Sequence, residues 1–405
     1  MKDVRKQLGI QIESPFWDEA YQKALLEPMV PEWMTEGYVR RLHEECGIFP
    51  ENLEVIVSAI SYVARVPELC LLAKTMYHIL ATKQKFEKAF SAFELPVAPA
   101  GTENTIGYDC FSVFPILAHL RPTWDEFQNR GVGKSVLTDS LHWVDSLFTD
   151  SSKKAGKPAF TADYFRLYGV SIYTNHLTIG RLRFEIYENS SCPARIFANH
   201  DGDFCILMDH VMLHKSGQIL GSYACVDEDG AYAADFLETE DFYEGYAVDK
   251  GTCLAQNVRT ALPKKDWLPV YASGDHVIRV HIPYGGKLDK TACEASYQKA
   301  RELFGRCYPE INFTGFLICC WMLSPVLKRI LPPTSNIVAF QEQYHIFPSK
   351  SSAADAFLYV FGIEETPVSA ISLSELPEEN ALMCGVKEES LQGNYIHQFN
   401  GFFLW

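Results

Sequence analysis

The stretch HVIRVHIPYGGKLDKTACEASYQKARELFG, residues 276–305, begins as a β-branched strand, breaks at a Gly pair and restarts with the period of a helix. Glycines at a strand end let a ligand approach the backbone closely. The first turn of the following helix, near Thr291, offers unpaired N–H groups and the positive end of the helix dipole. Gly285 and Gly286 therefore suit an anion such as pyrophosphate, although the same residues also make an ordinary strand-to-helix turn. His281, beside the bend, is a residue type whose pKa near ~6.5 fits proton transfer. Glu185, in GRLRFEIYE, projects opposite the face of Leu182, Phe184 and Ile186, either into a cleft or into water.

A second Gly-rich candidate, GVGKS at residues 131–135, has the tail of a nucleotide-binding Walker loop. The full pattern fails, because Gln128 stands where it needs Gly and the preceding TWDEFQNR reads as helix rather than strand. Ser135 is instead expected to cap a helix over residues 136–148. The 12 cysteines are scattered, with no C-x-x-C pair, and Cys319 and Cys320 are adjacent. Reduced core thiols are expected, and no metal site.

The elements that must position these residues change character along the chain of 405 residues. From Ser14 to Phe148 the signals are helical, with a restart expected at Pro67. SSKKAGKPAFT, residues 151–161, reads as a solvated connection, and strands with Asp-Gly and Ser-Gly turns follow. Beyond residue 276 the order is strand, bend, helix, strand, short helix, strand, with NIVAFQEQYHIF and DAFLYVFG as strand candidates and KEESLQGNYIH as a terminal helix. This predicts an α+β protein with a helical domain over 1–155 and a second domain over 156–405. A net charge of -15 without a basic run argues against nucleic acid as partner. The N-terminus lacks a signal-peptide core and no stretch approaches the ~18 apolar residues of a membrane span, so a cytoplasmic protein without a membrane partner is expected.

The phrases GVGKSVLTDSLHWVDSLF, LTIGRLRFEIYE, VIRVHIPYGGKLDKTACEASYQKARELF and CWMLSPVLKRILPPTSNIVAFQEQY together resemble a bacterial family of two-part acyltransferases. In that family a helical N-terminal domain precedes a region similar to the GCN5-related N-acyltransferase (GNAT) fold. The resemblance implies a mixed α/β C-terminal domain with a central, largely antiparallel sheet. HVIRVHIP would be the fourth GNAT strand and FLICCW the fifth, with pantetheine in the gap between them. Ile282 and the bend from Tyr284 through Gly285, Gly286, Thr291 and Ala292 would then face the cofactor. One departure is plain: the usual Gln/Arg-x-x-Gly-x-Gly/Ala loop is not reproduced by PYGGKLDKTA.

The implied reaction is transfer of an acyl group from acetyl-CoA or another acyl-CoA to an amine on a small molecule or peptide, by direct attack. It needs a proton acceptor and a proton donor. Glu185, His281 and Cys320 are the candidates, while Ser335 and Asn336, expected just before a strand, would orient a carbonyl or substrate amide. Family members tend to carry His and Ser where Cys319 and Cys320 stand. The altered loop leaves an alternative, a noncatalytic GNAT-like ligand-binding or interaction protein.

Overall fold

The computed structural model describes residues 3–84, 86–167, 176–188, 192–283, 285–363 and 366–405. They form two compact units, one of Met1–Ile179 with Glu302–Tyr308 and one of Gly180–Arg301 with Pro309–Trp405.

The first unit is built on helices α1 (Trp17–Leu26), α2 (Glu36–Cys46), α3 (Leu53–Arg65), α4 (Pro67–Leu80), α5 (Val113–Asn129) and α6 (Lys134–Ala155). Apolar residues at three- and four-residue spacing bury one face of each, as with Ile56, Ala59, Ile60 and Val63 on α3. Pro67 takes the first position of α4 and holds Val66 extended, so α3 and α4 meet at 107°. The restart expected at Pro67 is present. Gly133, not Ser135, occupies the cap position of α6, and the helix runs on to Ala155, where Gly156 turns left-handed at φ +67°. Residues 151–155 are therefore its last turn rather than a solvated connection. Ser151 is buried there, its Oγ accepting the Thr161 N–H at 3.0 Å. Among the described residues no single helix is long and apolar enough to cross a membrane.

In the second unit, a mixed sheet contains β1 (Leu182–Glu188), β7 (His276–His281), β8 (Phe313–Cys320), β9 (His345–Pro348) and β10 (Phe399–Leu404), in the spatial order β9-β10-β8-β7-β1. The pairing of β7 with β8 is parallel; the others are antiparallel. A second, antiparallel sheet holds β2 (Ala194–Asn199), β3 (Phe204–Met208), β4 (Phe242–Val248), β5 (Ala255–Pro263) and β6 (Trp267–Tyr271), ordered β5-β4-β3-β2-β6. The sheets share a core in which Ile196, Met208 and Tyr271 meet Val277, Leu317 and Phe402. Tyr271 and Phe402 stack at 5.0 Å. On the mixed sheet's other face lies helix α7 (Lys290–Cys307), whose Tyr297 packs edge-on against Phe184, Phe316 and Phe403.

Three local expectations are corrected. Residues 336–341 form helix α8 (Asn336–Gln341), and only His345–Pro348 of that stretch is strand. DAFLYVFG belongs to helix α9 (Ala354–Phe361), whose buried Ala356, Phe357 and Val360 follow helical spacing. The last helix, α10, spans Ala381–Leu391, so NYIH lies outside it, and the chain ends in β10, which the sequence reading lacked.

Candidate active site

The parallel strands β7 and β8 hold together over only part of their length. Their register runs His276↔Phe313, Ile278↔Phe316 and Arg279↔Leu317, and pairing ends there while β7 continues to His281 and β8 to Cys320. The strands diverge at the end where a bend and a helix follow β7. Strand alternation then sorts the side chains. Val277 and Leu317 enter the core between the sheets, so Arg279, His281 and Cys319 share that side; Phe316 meets Tyr297 on the other, with Cys320. The antiparallel register Glu185↔Arg279 and Arg183↔His281 brings Glu185 onto the Arg279 side.

Glu185 is 1% exposed, and its Oε1 lies 3.5 Å from both Arg279 Nη1 and His281 Nε2. A buried carboxylate is tolerated only with such partners. The guanidinium of Arg279 also sits 5.0 Å over the Tyr187 ring, within cation–π reach. Arg279 and Tyr187 border a cavity of about 510 Å³, lined also by Val211, Ile219, Leu317, Cys319, Ser349, Lys350 and Asn400 among others; Glu185 and His281 are not among its lining residues. That volume suits a small ligand or part of a larger one. The Cys319 thiol donates to Ser349 Oγ at 3.3 Å, and burial raises its pKa above the ordinary thiol value.

The structure thus brings together Glu185 and His281, and not Cys320. Cys320 is directed to the helix-packed face, where burial pushes its thiol up to about 12. A thiol so held stays protonated, and it is Cys319 that borders the cavity. Tyr344 is buried with its hydroxyl against that of Tyr297, and desolvation holds its phenol well above the usual tyrosine range. Ser335 Oγ accepts the Ile337 N–H at 3.2 Å and caps α8, with Asn336 as the first residue of that helix; neither lines the cavity.

At the bend, Gly285 and Gly286 take φ of +81° and +72°, the left-handed region that glycine enters freely. Ile282 is half-buried and Thr291 exposed, while Tyr284 lies outside the described residues. The N–H of Ala292 is already engaged by Asp289 Oδ1 at 2.9 Å, which caps α7. A residue missed in the sequence closes the bend. Arg181 donates from Nε to the Lys287 carbonyl (3.0 Å), from Nη1 to Pro283 (3.1 Å) and from Nη2 to Gly286 (3.1 Å). Its own N–H donates to Ser296 Oγ of α7 at 2.9 Å, and a Cβ on the preceding Gly180 would stand 2.6 Å from that same oxygen. The only sequence signal was the turn Ile-Gly-Arg at the start of β1. Nothing in it announces contact with residues a hundred positions away.

Residues 177–403 match the family described as GNAT-like C-terminal domain. No curated protein matches the chain. Among solved structures, an acyltransferase in complex with decanoyl-CoA and teicoplanin is similar at TM-score 0.61 and 18% identity, over 99% of this chain and 98% of that one. An acyltransferase in complex with CoA and 10C-teicoplanin gives TM-score 0.61, and an acyltransferase mutant in complex with octanoyl-CoA gives 0.59; both are 18% identical over 99% of this chain and 98% of theirs. At that identity the likeness establishes a shared fold.

Proposed function

Because the chain belongs to the GNAT-like C-terminal domain family, we propose that it is a CoA-dependent N-acyltransferase that moves an acyl group from acyl-CoA to an amine on a small molecule or peptide. The observation that carries this reading is the divergence of β7 and β8 beyond Arg279↔Leu317, beside a cavity lined by Arg279, whose buried partner Glu185 also meets His281. Pantetheine would run in the gap, using backbone groups of Val280 and His281 on β7 and of Ile282 just beyond it. Its pyrophosphate would meet the Gly285–Gly286 bend, where Arg181 adds a guanidinium to the charges of Lys287 and Lys290.

In the reaction the amine nitrogen attacks the thioester carbonyl carbon, the C–S bond breaks and CoA leaves as a thiolate. Glu185 takes the proton from nitrogen, His281 shares that proton through the carboxylate, and the thiolate receives it in turn. The acyl donors bound by the similar acyltransferases, decanoyl-CoA and octanoyl-CoA, are the first to try. Twelve free cysteines are the chemistry of a reducing compartment, which supports a cytoplasmic enzyme.

A second reading, ligand binding without turnover, is favoured by one observation: the Asp289 carboxylate sits on the Ala292 N–H that a pyrophosphate would use. Calorimetry with CoA and decanoyl-CoA on wild type and Gly286→Asp separates the outcomes. A Cβ at Gly286 has its nearest contact with Arg181 Nε at 3.7 Å, so the variant adds charge without a clash, at a left-handed backbone cost of about 1–2 kcal/mol that Asp bears better than most residues. Saturable wild-type binding, lost in a variant of unchanged circular dichroism, is expected. No wild-type binding of either probe would defeat the acyl-CoA reading. Binding without thiol release across an amine panel would favour the second.

A further inference from the structure

We infer that Arg181 is a positioning residue for the acyl donor: it gathers the carbonyls of the bend onto itself and so aims the bend's N–H groups at the donor's phosphate. This rests on the acyltransferase reading. A guanidinium has five N–H donors in a planar fork. Three of them are spent inside the protein, Nε on the Lys287 carbonyl at 3.0 Å and Nη1 and Nη2 on those of Pro283 and Gly286, each at 3.1 Å. A trans peptide is planar, so the N–H that follows a carbonyl points the opposite way. With the carbonyls of Gly286 and Lys287 on the guanidinium, the N–H groups of Lys287 and Leu288 point away from it, and neither donates to a carbonyl among the described residues. Two successive N–H groups in a turn form a concavity that accepts an anion.

Arg181 is itself held in place. Its N–H donates to Ser296 Oγ at 2.9 Å, and Ser296, 1% exposed, donates in turn to the Ala292 carbonyl at 2.8 Å. The turn before β1, the first turns of α7 and the bend are thereby one hydrogen-bonded bracket, set before any ligand arrives. Side-chain charge makes a weaker case for holding the phosphate. Lys287 is exposed, Lys290 lies 3.9 Å from Glu294, and Asp289 places a carboxylate between the two lysines in the chain. Position and charge can be told apart at residue 181, because a lysine there keeps the charge but is a point donor without the planar fork that holds three carbonyls.

The probes are S-decanoylphosphopantetheine and S-decanoylpantetheine, which differ in one phosphate, with decanoyl-CoA titrated in parallel. Calorimetry on wild type is expected to show the phosphate improving affinity about tenfold. In Arg181→Lys that gain should fall to about twofold or less, with S-decanoylpantetheine affinity unchanged. Lys287→Gln should keep a gain of about fivefold or more, since an exposed charge adds little. A gain that survives Arg181→Lys would make Arg181 a simple charge, and a gain lost in Lys287→Gln would give the phosphate to a lysine; either overturns the inference. An equal fall for both probes in Arg181→Lys, the mark of a structural residue, overturns it as well. Should Arg181→Lys lose the wild-type circular dichroism, Lys287→Gln decides alone, a retained gain supporting the N–H groups and a lost one overturning them. Decanoyl-CoA binding without any phosphate gain overturns the inference and leaves the acyltransferase reading standing. Failure of decanoyl-CoA to bind wild type removes the reading and the inference together.

Discussion

The two faces of the mixed sheet, built from the same strands, do opposite work. Toward α7, Phe184, Phe316, Phe403 and Tyr297 pack ring against ring, with centroids 4.9–6.0 Å apart. Toward the second sheet, the same strands present Glu185, Arg279, His281 and Cys319, of which Arg279 and Cys319 line a cavity. Each strand changes role every residue, so Phe184 is followed by Glu185 and Cys319 by Cys320. The lesson is that the aromatic face holds the polar one in register. A buried carboxylate between two basic groups has little tolerance for movement, and the ring layer behind it supplies the rigidity.

Substitutions on the two faces should separate activity from stability. Glu185→Gln removes the proton acceptor but keeps the shape, and acyl transfer to a responsive amine should fall about 10²–10⁴-fold while decanoyl-CoA binding persists. Steady-state thiol release with calorimetry checks this; a fall of less than about threefold would dismiss Glu185 as the base. Phe316→Ala on the opposite face should cost about 3–5 kcal/mol in chemical denaturation, since a large buried ring leaves a cavity. Its residual folded fraction should retain decanoyl-CoA affinity. Loss of affinity without loss of stability would reverse the division of labour.

The sequence made one face easier to read than the other. The order of strand, bend and helix from residue 276 was legible because β-branched alternation gives way to helical spacing at the Gly pair. Glu185 was identifiable as opposite Phe184, but its burial was not, because alternation alone does not say whether a second sheet covers the polar side. In FTGFLICC nearly every residue is apolar, so which cysteine faces the cavity depends on register with β7 and β10. DAFLYVFG misled because aromatic and branched residues favour strands in isolation, whereas packing decided for helix. Strand β10 was hidden by Gly401, whose missing side chain admits Leu323 and Tyr344; a Cβ there would lie 2.6 Å from Leu323. Arg181 and Lys350 had no local signal, since their meaning arises from partners distant in the chain.

A titration tests the sheet at the point where β10 enters it. Burial pulls the His397 imidazole down to about 4, below its unfolded value near 6.5. The folded state therefore favours the neutral ring. Its contribution is complete above pH 6.5 and is lost as pH falls through about 4. His397→Gln should flatten stability against pH between 6.5 and 4, a relative gain on the order of 1–2 kcal/mol at the acid end. Denaturation midpoints across that window measure it, and identical slopes in both proteins would place the acid sensitivity elsewhere.

The smallest expected effect bears most directly on the two faces. Cys319 borders the cavity, whereas Cys320 points into the ring layer with a thiol pushed up to about 12. The thiolate is the reactive form, so both should be slow, but iodoacetamide should modify Cys319 first, by about tenfold or more in the native protein. Fragment spectra of the peptide that carries both cysteines assign the site, and denaturation should erase the difference. Decanoyl-CoA should slow Cys319 further if it occupies the adjoining gap. Faster modification of Cys320 would mean that β8 is displaced by one residue, which would exchange its faces and turn Phe316 toward the cavity. The placement of Leu317 and Cys319 beside Arg279 at one cavity depends on that single register.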